Sequence, residues 1–392
     1  MNGFLALAIL CAGLALAGVA STLLAARAVR RFGAACAPGA RPKGPAQGGP
    51  ALAATVLKPL HGALPGQQAW LEATLAQRHA APFQVLMGVG SPEDGAVPQA
   101  RAAMAAWPGV DAALVQDATV HGANRKLGNV LNLMPQVRHG VVVLADADMR
   151  VPDDWLTVVT AGLAEPGVGL VTCLYKGVPA VPGLWARLAG LGIDWHFLPN
   201  AVLGESLGKA RGCYGATMAL RVETLAALGG FAALRDLLAD DHALGEAVRA
   251  LGLRVVVAPV VPDHMMDEAS LGALLGHELR WARTVRLLNP AGYLGLALTH
   301  PLPWAFACWG LRGWALADWG LAVLGVTLAA RLWLAWSVDQ SFGISATLCR
   351  FVLLPLRDCL SFAIWAAGLA RGTVTWQGRR YRMRRDGSMT EA

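Results

Sequence analysis

Asp146 and Asp148 stand directly after the apolar run Val141-Val142-Val143-Leu144. Residues at i and i+2 share one side of a strand, and in the turn that follows it both carboxylates can approach a single hard cation. Such a cation offsets the charge of a bound pyrophosphate, so the spacing suits a nucleotide diphosphate held through Mg2+ or Mn2+. Asp146 and Asp148 are the expected metal ligands, and Asp146 also borders the donor. The pair by itself is a weak signal, because surface turns use Asp heavily. Its company strengthens it: Lys58, Asp94, Asp240-Asp241 and Arg280-Trp281, set among long apolar segments.

Each companion has a task and a plainer alternative. Lys58-Pro59-Leu60-His61-Gly62 closes the first apolar strand and Glu93-Asp94 lies just beyond the second, where Asp94 can accept from a pyrimidine base or a ribose hydroxyl; solvated turns favour the same residues. Asn124, Lys126 and Asn129 sit at an expected helix start, where two amides and an ammonium can border a diphosphate. Asp240-Asp241 opens a helix expected to run through Ala250. One carboxylate there caps the helix, leaving the other to take a proton from an attacking hydroxyl; Asp241 is assigned as that base, with Asp240 orienting or capping. His277-Glu278-Leu279-Arg280-Trp281 occupies a helical stretch in which Arg280 offers a bidentate fork and Trp281 a broad apolar face with one donor. An amphipathic interfacial helix would carry the same residues.

These residues need elements to hold them, and composition narrows the choice. The chain has 392 residues, 55% hydrophobic and only 15% charged, against roughly 25% charged in a soluble domain. That balance points to a membrane protein. Residues 1–26 carry no charge and suffice to span a bilayer, and Arg27, Arg30 and Arg31 follow at once, which places the next segment in the cytoplasm. A cleaved signal peptide would carry its basic residues ahead of the apolar run. Part of the net charge of +7 lies in a tail bearing Arg371, Arg379, Arg380, Arg382, Arg384 and Arg385, which suits anionic lipid headgroups. Nucleic acid is not expected, since no aromatic-interleaved basic domain or zinc spacing accompanies the tail. The seven cysteines form no Cys-x-x-Cys pair and read as small buried hydrophobes.

The expected organisation is a transmembrane anchor over 1–26, a basic and Gly/Pro-rich linker over 27–50, a cytosolic domain over 51–286, membrane-embedded helices over 287–370 and a basic cytosolic tail over 371–392. Within the cytosolic domain, short apolar runs at 54–57, 85–89, 112–115, 141–144 and 168–173 alternate with helical stretches such as 67–78 and 99–107. This βαβ order predicts an α/β domain with a parallel or mixed sheet and ligand loops at the carboxyl ends of its strands. Beyond Leu287, residues 319–338 form a good span. Prolines and a histidine break 287–311, while Arg350, Pro355, Arg357 and Asp358 interrupt 343–370, as in a re-entrant or kinked element. A cytoplasmic tail requires an even number of crossings after the cytosolic domain, and two are expected.

Taken together, Leu57-Lys58-Pro59-Leu60-His61-Gly62, Glu93-Asp94, Asn124 to Asn132, Asp146-Ala147-Asp148, Ala239-Asp240-Asp241, Arg280-Trp281 and Thr375-Trp376-Gln377-Gly378-Arg379-Arg380-Tyr381-Arg382 resemble a family 2-like inverting glycosyltransferase. The resemblance is closer to the ceramide glucosyltransferase family, family 21, and to its bacterial relatives associated with hopanoid biosynthesis. It implies a GT-A-like nucleotide-sugar domain and a multi-pass protein of the bacterial inner membrane, with the catalytic domain cytoplasmic. It also implies uridine contact by Asp94, metal and diphosphate binding by Asp146 and Asp148, a base at Asp241, and donor and acceptor contacts by Arg280 and Trp281. Lys58 and Lys126 are carried as donor-binding residues, and His277, Trp376 and Arg379 as acceptor or motif positions. The family motif begins with Gln or Arg where this chain has His277, and relatives often have Glu-Asp where it has Asp240-Asp241. The implied partners are a UDP-sugar and a membrane lipid. The run 167–176 looks most like the hopanoid-associated branch, which favours transfer of N-acetylglucosamine to a hopanoid hydroxyl over transfer of glucose to ceramide. A non-catalytic scaffold is disfavoured, because no carboxylate at Asp146, Asp148 or Asp241 has been lost.

Overall fold

The computed structural model describes residues 2–44, 50–210, 212–311 and 317–370, together with 374–376, 379–384 and 387–391 of the tail. The chain divides into two compact units, each discontinuous in sequence. One comprises Met1–Ala34, Gly183–Ala210 and Glu268–Arg380, and the other Ala35–Pro182, Arg211–Asp267 and Tyr381–Ala392.

The second unit is built on two sheets. Its strands are β1 (Ala54–Pro59), β2 (Phe83–Val89), β3 (Asp111–Gln116), β4 (Val141–Ala145), β5 (Met149–Arg150), β6 (Val168–Thr172), β7 (Lys176–Pro179), β8 (Thr217–Arg221), β9 (Arg254–Val257) and β10 (Asp263–Met266). The main sheet runs β3-β2-β1-β4-β8-β6-β9. β1, β2, β3 and β4 pair in parallel, as the βαβ alternation requires, and β9 lies parallel to β6. β8 is antiparallel to both β4 and β6, which makes the sheet mixed.

Every residue of β1, β4 and β6 is buried. This explains why those strands read as continuous apolar runs, the pattern of strands covered on both faces. Separate apolar clusters form on the two faces: Val56, Val85, Val143 and Trp155 belong to one, and Leu57, Leu86, Leu127 and Leu144 to the other. The smaller sheet, β5-β10-β7, carries the chain immediately after the Asp-x-Asp turn. In the tail, Tyr381 pairs with Glu391 and Arg382 with Thr390, and Ser388 bridges to Leu237.

The first unit is helical. Its first helix, Asn2–Ala35, continues past Arg27, Arg30 and Arg31, so the basic residues ride on the helix that carries the apolar run. Gly3–Ala35 and Trp319–Ser341 are both long and apolar enough to cross a membrane. Residues 287–311 are broken as expected: Asn289 caps the helix Pro290–Gly295 by accepting from Gly292 N, and Pro301 begins a further helix to Leu311. The interrupted stretch 343–370 forms Leu348–Val352 and then Leu354–Gly368. Its charges are paired inside the unit. Arg331 forms a bidentate pair with Asp358 at 2.7 Å to each oxygen, and Arg350 reaches Asp194 at 2.8 Å. Pairing of this kind lets ionisable side chains persist in an apolar bundle.

Candidate active site

The Asp-x-Asp turn leaves β4 at the carboxyl end of the parallel strands and is held from beneath. Lys58, fully buried on β1, donates from Nζ to the backbone oxygens of Asp146 at 2.8 Å and Met149 at 3.1 Å. Burial lowers its pKa to about 8, against the pull of Asp148 and Asp146. The sequence placed Lys58 at a donor site; here its ammonium grips the backbone of the turn. On the other side, β10 pairs with β5, Met265 N donates to Asp148 O at 2.9 Å, and His264 Nε2 lies 3.1 Å from Asp148 Oδ2. The Tyr175 ring meets the His264 ring edge-on at 5.2 Å. Nothing in the sequence signalled His264, because the pairing of β10 with β5 is a long-range event.

Lys126 joins the two acidic motifs. Its ammonium stands 2.6 Å from Asp146 Oδ1 and 3.7 Å from Asp240 Oδ2. Asn124 makes this possible. It caps the helix Arg125–Leu133 by accepting from Leu127 N at 3.0 Å, and donates from Nδ2 to Leu237 O at 2.8 Å, fixing the segment before Asp240 beside the helix that carries Lys126. The surrounding carboxylates Asp146, Asp240 and Asp241 outweigh burial and hold Lys126 firmly protonated. Asn129 faces elsewhere, donating to Leu60 O and Gly88 O between the ends of β1 and β2. Of the three residues expected to border a diphosphate, Lys126 has its ammonium directed at the acidic site, whereas the amides of Asn124 and Asn129 donate to backbone oxygens.

Asp240 and Asp241 open the helix Asp240–Ala250, whose positive end favours both charges. Asp241 does not cap in the ordinary way: Oδ1 accepts from His242 N at 2.7 Å and Oδ2 from Gly215 N at 3.1 Å, in the loop before β8. Burial raises the pKa of both carboxyls, with Lys126 opposing in each case and the two backbone donors also opposing at Asp241. The tail contributes as well, since Leu238 N donates to Gly387 O at 3.2 Å.

Asp94 lies at the end of the neighbouring strand pair. Its Oδ1 accepts from Gly62 N and Ala96 N, each at 2.9 Å, and its Oδ2 is 3.4 Å from His61 Nδ1. It therefore ties the loop after β1 to the helix Ala96–Ala106.

His277, Arg280 and Trp281 belong to the helical unit, on the helix Leu271–Leu288. His277 Nδ1 is 2.6 Å from buried Glu268, the His277 and Trp281 rings meet at 4.2 Å, and the Arg280 guanidinium lies 6.0 Å from the Trp281 ring. Trp376 and Arg379 fall within the strands Val374–Trp376 and Arg379–Met383; their side chains, like Arg371 and Arg385, lie outside the described residues.

Among the described residues no group of three His, Cys, Asp or Glu side chains converges to hold a metal. A divalent ion completed by phosphate oxygens and water needs only one or two carboxylates. Asp146 and Asp148, in one backbone-anchored turn, fit that requirement.

The sequence matches the model described as glycosyl transferase family 21 over residues 10–389. The chain belongs to glycosyltransferase family 21. The mixed seven-stranded sheet of this glycosyltransferase is GT-A-like. Solved structures similar to it include a mannosyltransferase from Pyrobaculum calidifontis in complex with GDP-mannose and Mn2+, 19% identical, covering 91% of this chain and 97% of that one with a TM-score of 0.47. GalNAc-T7 with UDP, GalNAc and Mn2+ is 12% identical over 67% of this chain and 57% of its own, with a TM-score of 0.43. Residues 1–349 of TarS from S. aureus in complex with UDP-GlcNAc are 13% identical over 87% and 99%, with a TM-score of 0.38. The family assignment rests on the sequence match.

Proposed function

We propose that the glycosyltransferase transfers N-acetylglucosamine from its UDP-sugar to a hydroxyl of a hopanoid lipid, with inversion at the anomeric carbon. The observation that carries the reading is Lys126, standing between Asp146 and Asp240 and so bringing the diphosphate side and the base side of one reaction within a single side chain's reach. Asp241 takes the proton of the acceptor hydroxyl, whose oxygen forms the new bond to the anomeric carbon as the bond to the diphosphate breaks. Lys126 supplies positive charge beside the departing diphosphate, and Lys58 holds the Asp146–Met149 turn in place. Asp146 and Asp148 would hold the Mg2+ or Mn2+, which neutralises diphosphate charge when bound. Asp94 is assigned to the uridine, and Arg280 and Trp281 to donor and acceptor contacts, as the family motif implies.

The two long apolar helices support a lipid acceptor and a membrane location, with Arg27, Arg30 and Arg31 favouring a cytoplasmic catalytic unit at the bacterial inner membrane. Apolar side chains do not encode which lipid fits, and the hopanoid choice rests on the resemblance of residues 167–176. The test is the lipid content of cells with and without the gene. Loss of an N-acetylhexosamine-modified hopanoid is the expected result, whereas unchanged hopanoids with loss of hexosylceramide overturn it in favour of glucose transfer to ceramide. Assays of both donors against both acceptors then show whether the loss is direct.

A further inference from the structure

Arg357 is buried in the helical unit, on the helix Leu354–Gly368, with every guanidinium N–H engaged. Nη1 and Nη2 donate to the two carboxylate oxygens of Glu278 at 2.8 and 2.6 Å, Nη1 donates to Leu188 O at 3.1 Å, and Nε and Nη2 donate to Ser361 Oγ at 3.0 and 2.9 Å. The fit extends to the backbone behind it, since a Cβ on Gly192 would lie 2.8 Å from the Arg357 Cζ. A bidentate fork of this kind fixes orientation as well as distance, which a lysine does not do.

Glu278 lies inside the segment His277-Glu278-Leu279-Arg280-Trp281. At about 100° per residue, Glu278 and Ala282 share one face of the helix Leu271–Leu288, while His277, Arg280 and Trp281 cluster on a face roughly a quarter-turn or more away. The 278/282 face is the gripped one. Arg357 holds Glu278, and Gly368 at the other end of the Arg357 helix approaches so closely that a Cβ there would stand 3.1 Å from Ala282 Cβ. Two attachments one helical turn apart fix the rotation of the helix about its own axis, and hence the direction of the His277, Arg280 and Trp281 side chains. Asp358, adjacent to Arg357, is in turn clamped by Arg331 of the helix Ala317–Ser341.

We propose that Arg357 is a positioning residue for glycosyl transfer, acting through Glu278 to set the rotation at which Arg280 and Trp281 are presented. The inference rests on the proposed participation of Arg280 and Trp281 in the reaction.

The test uses the full chain in lipid nanodiscs, with UDP-N-acetylglucosamine and UDP-glucose as donors and a hopanoid polyol and ceramide as acceptors, and UDP binding measured by calorimetry. R357K keeps the charge and loses the fork. We expect kcat to fall roughly 10- to 100-fold, as for a small misplacement of a reacting group, with UDP affinity lowered no further than in R280K. E278Q should show the same split, and it carries the test if R357K does not assemble. Combining R357K with W281F should cost little more than W281F alone, because both changes disturb one presentation. The proposal is overturned if W281F lowers turnover while R357K and E278Q stay within about twofold of the parent, or if R357K and W281F multiply independently. Parent-like turnover in W281F and R280K instead removes the participation of those residues, a separate failure.

Discussion

The backbone N–H of Gly215 donates to Asp241 Oδ2 at 3.1 Å, and a Cβ on Gly215 would lie 3.1 Å from that same oxygen and 3.2 Å from the Asp241 Cβ. The proposed base is therefore seated against bare backbone, and the absence of a side chain at Gly215 belongs to the site. G215A should push the carboxylate away and lower kcat by about tenfold or more while UDP binding persists. Steady-state kinetics beside UDP calorimetry measure both, and unchanged kcat would show that the seat has slack.

D241N separates a base from a cap. Asn caps a helix about as well as Asp, so loss of capping costs little, whereas loss of proton acceptance should lower kcat by roughly 10²–10⁴ with donor affinity retained. Near-normal turnover would transfer the assignment to Asp240.

The pH dependence has a definite sign. Burial raises the pKa of Asp241 above the usual aspartate range, and below that pKa the carboxyl is protonated and cannot accept. Activity should rise with pH along an acid limb displaced upward from an ordinary aspartate. A kcat/KM profile with no acid limb above the usual carboxylate range would contradict the assignment.

Removal of divalent ions should abolish transfer, with Mn2+ or Mg2+ restoring it. D146N and D148N should each raise the metal concentration needed for half-maximal rate by at least about tenfold. Full activity in chelator with metal-free protein would exclude the role.

Lys58 gives a different signature. K58M removes the two bonds from Nζ to Asp146 O and Met149 O, but it also removes a buried charge whose desolvation offsets much of that loss. The melting temperature should therefore move by only a few degrees, while UDP affinity falls by about tenfold or more because the turn is no longer anchored. Thermal melts and calorimetry on one preparation decide between this and a direct donor contact, for which the backbone of the turn would stay in place.

Sequence reading worked where local pattern and structure coincide. The apolar runs at 54–57, 85–89 and 141–144 became β1, β2 and β4 because strands buried on both faces must be apolar throughout. The helix opened by Asp240 ran to Ala250 as expected, since acidic residues at its start and Gly252 beyond its end mark both limits. The helix expected over 67–78 stops at Leu75: the Arg78 backbone N–H donates to Asp153 O instead of continuing the turn, while the Gln77 side chain donates from Nε2 to Pro152 O. The antiparallel seat of β8 between β4 and β6 could not be read, because residues 183–210 of the other unit intervene before it. His264 on Asp148 and Arg357 on Glu278 were hidden for the same reason: no local periodicity records a partner about a hundred residues away.

The sheet-bearing unit takes strands from three stretches of chain, the last of which begins at Tyr381 and includes residues 387–391. During synthesis those residues leave the ribosome only after residues 268–380 of the helical unit, so the bridge from Ser388 to Leu237 and the bond from Leu238 N to Gly387 O form late. The backbone just ahead of Asp240 and Asp241 is thus completed only once the intervening helices have been made, a chain order that ties the setting of these two carboxylates to prior synthesis of residues 268–380.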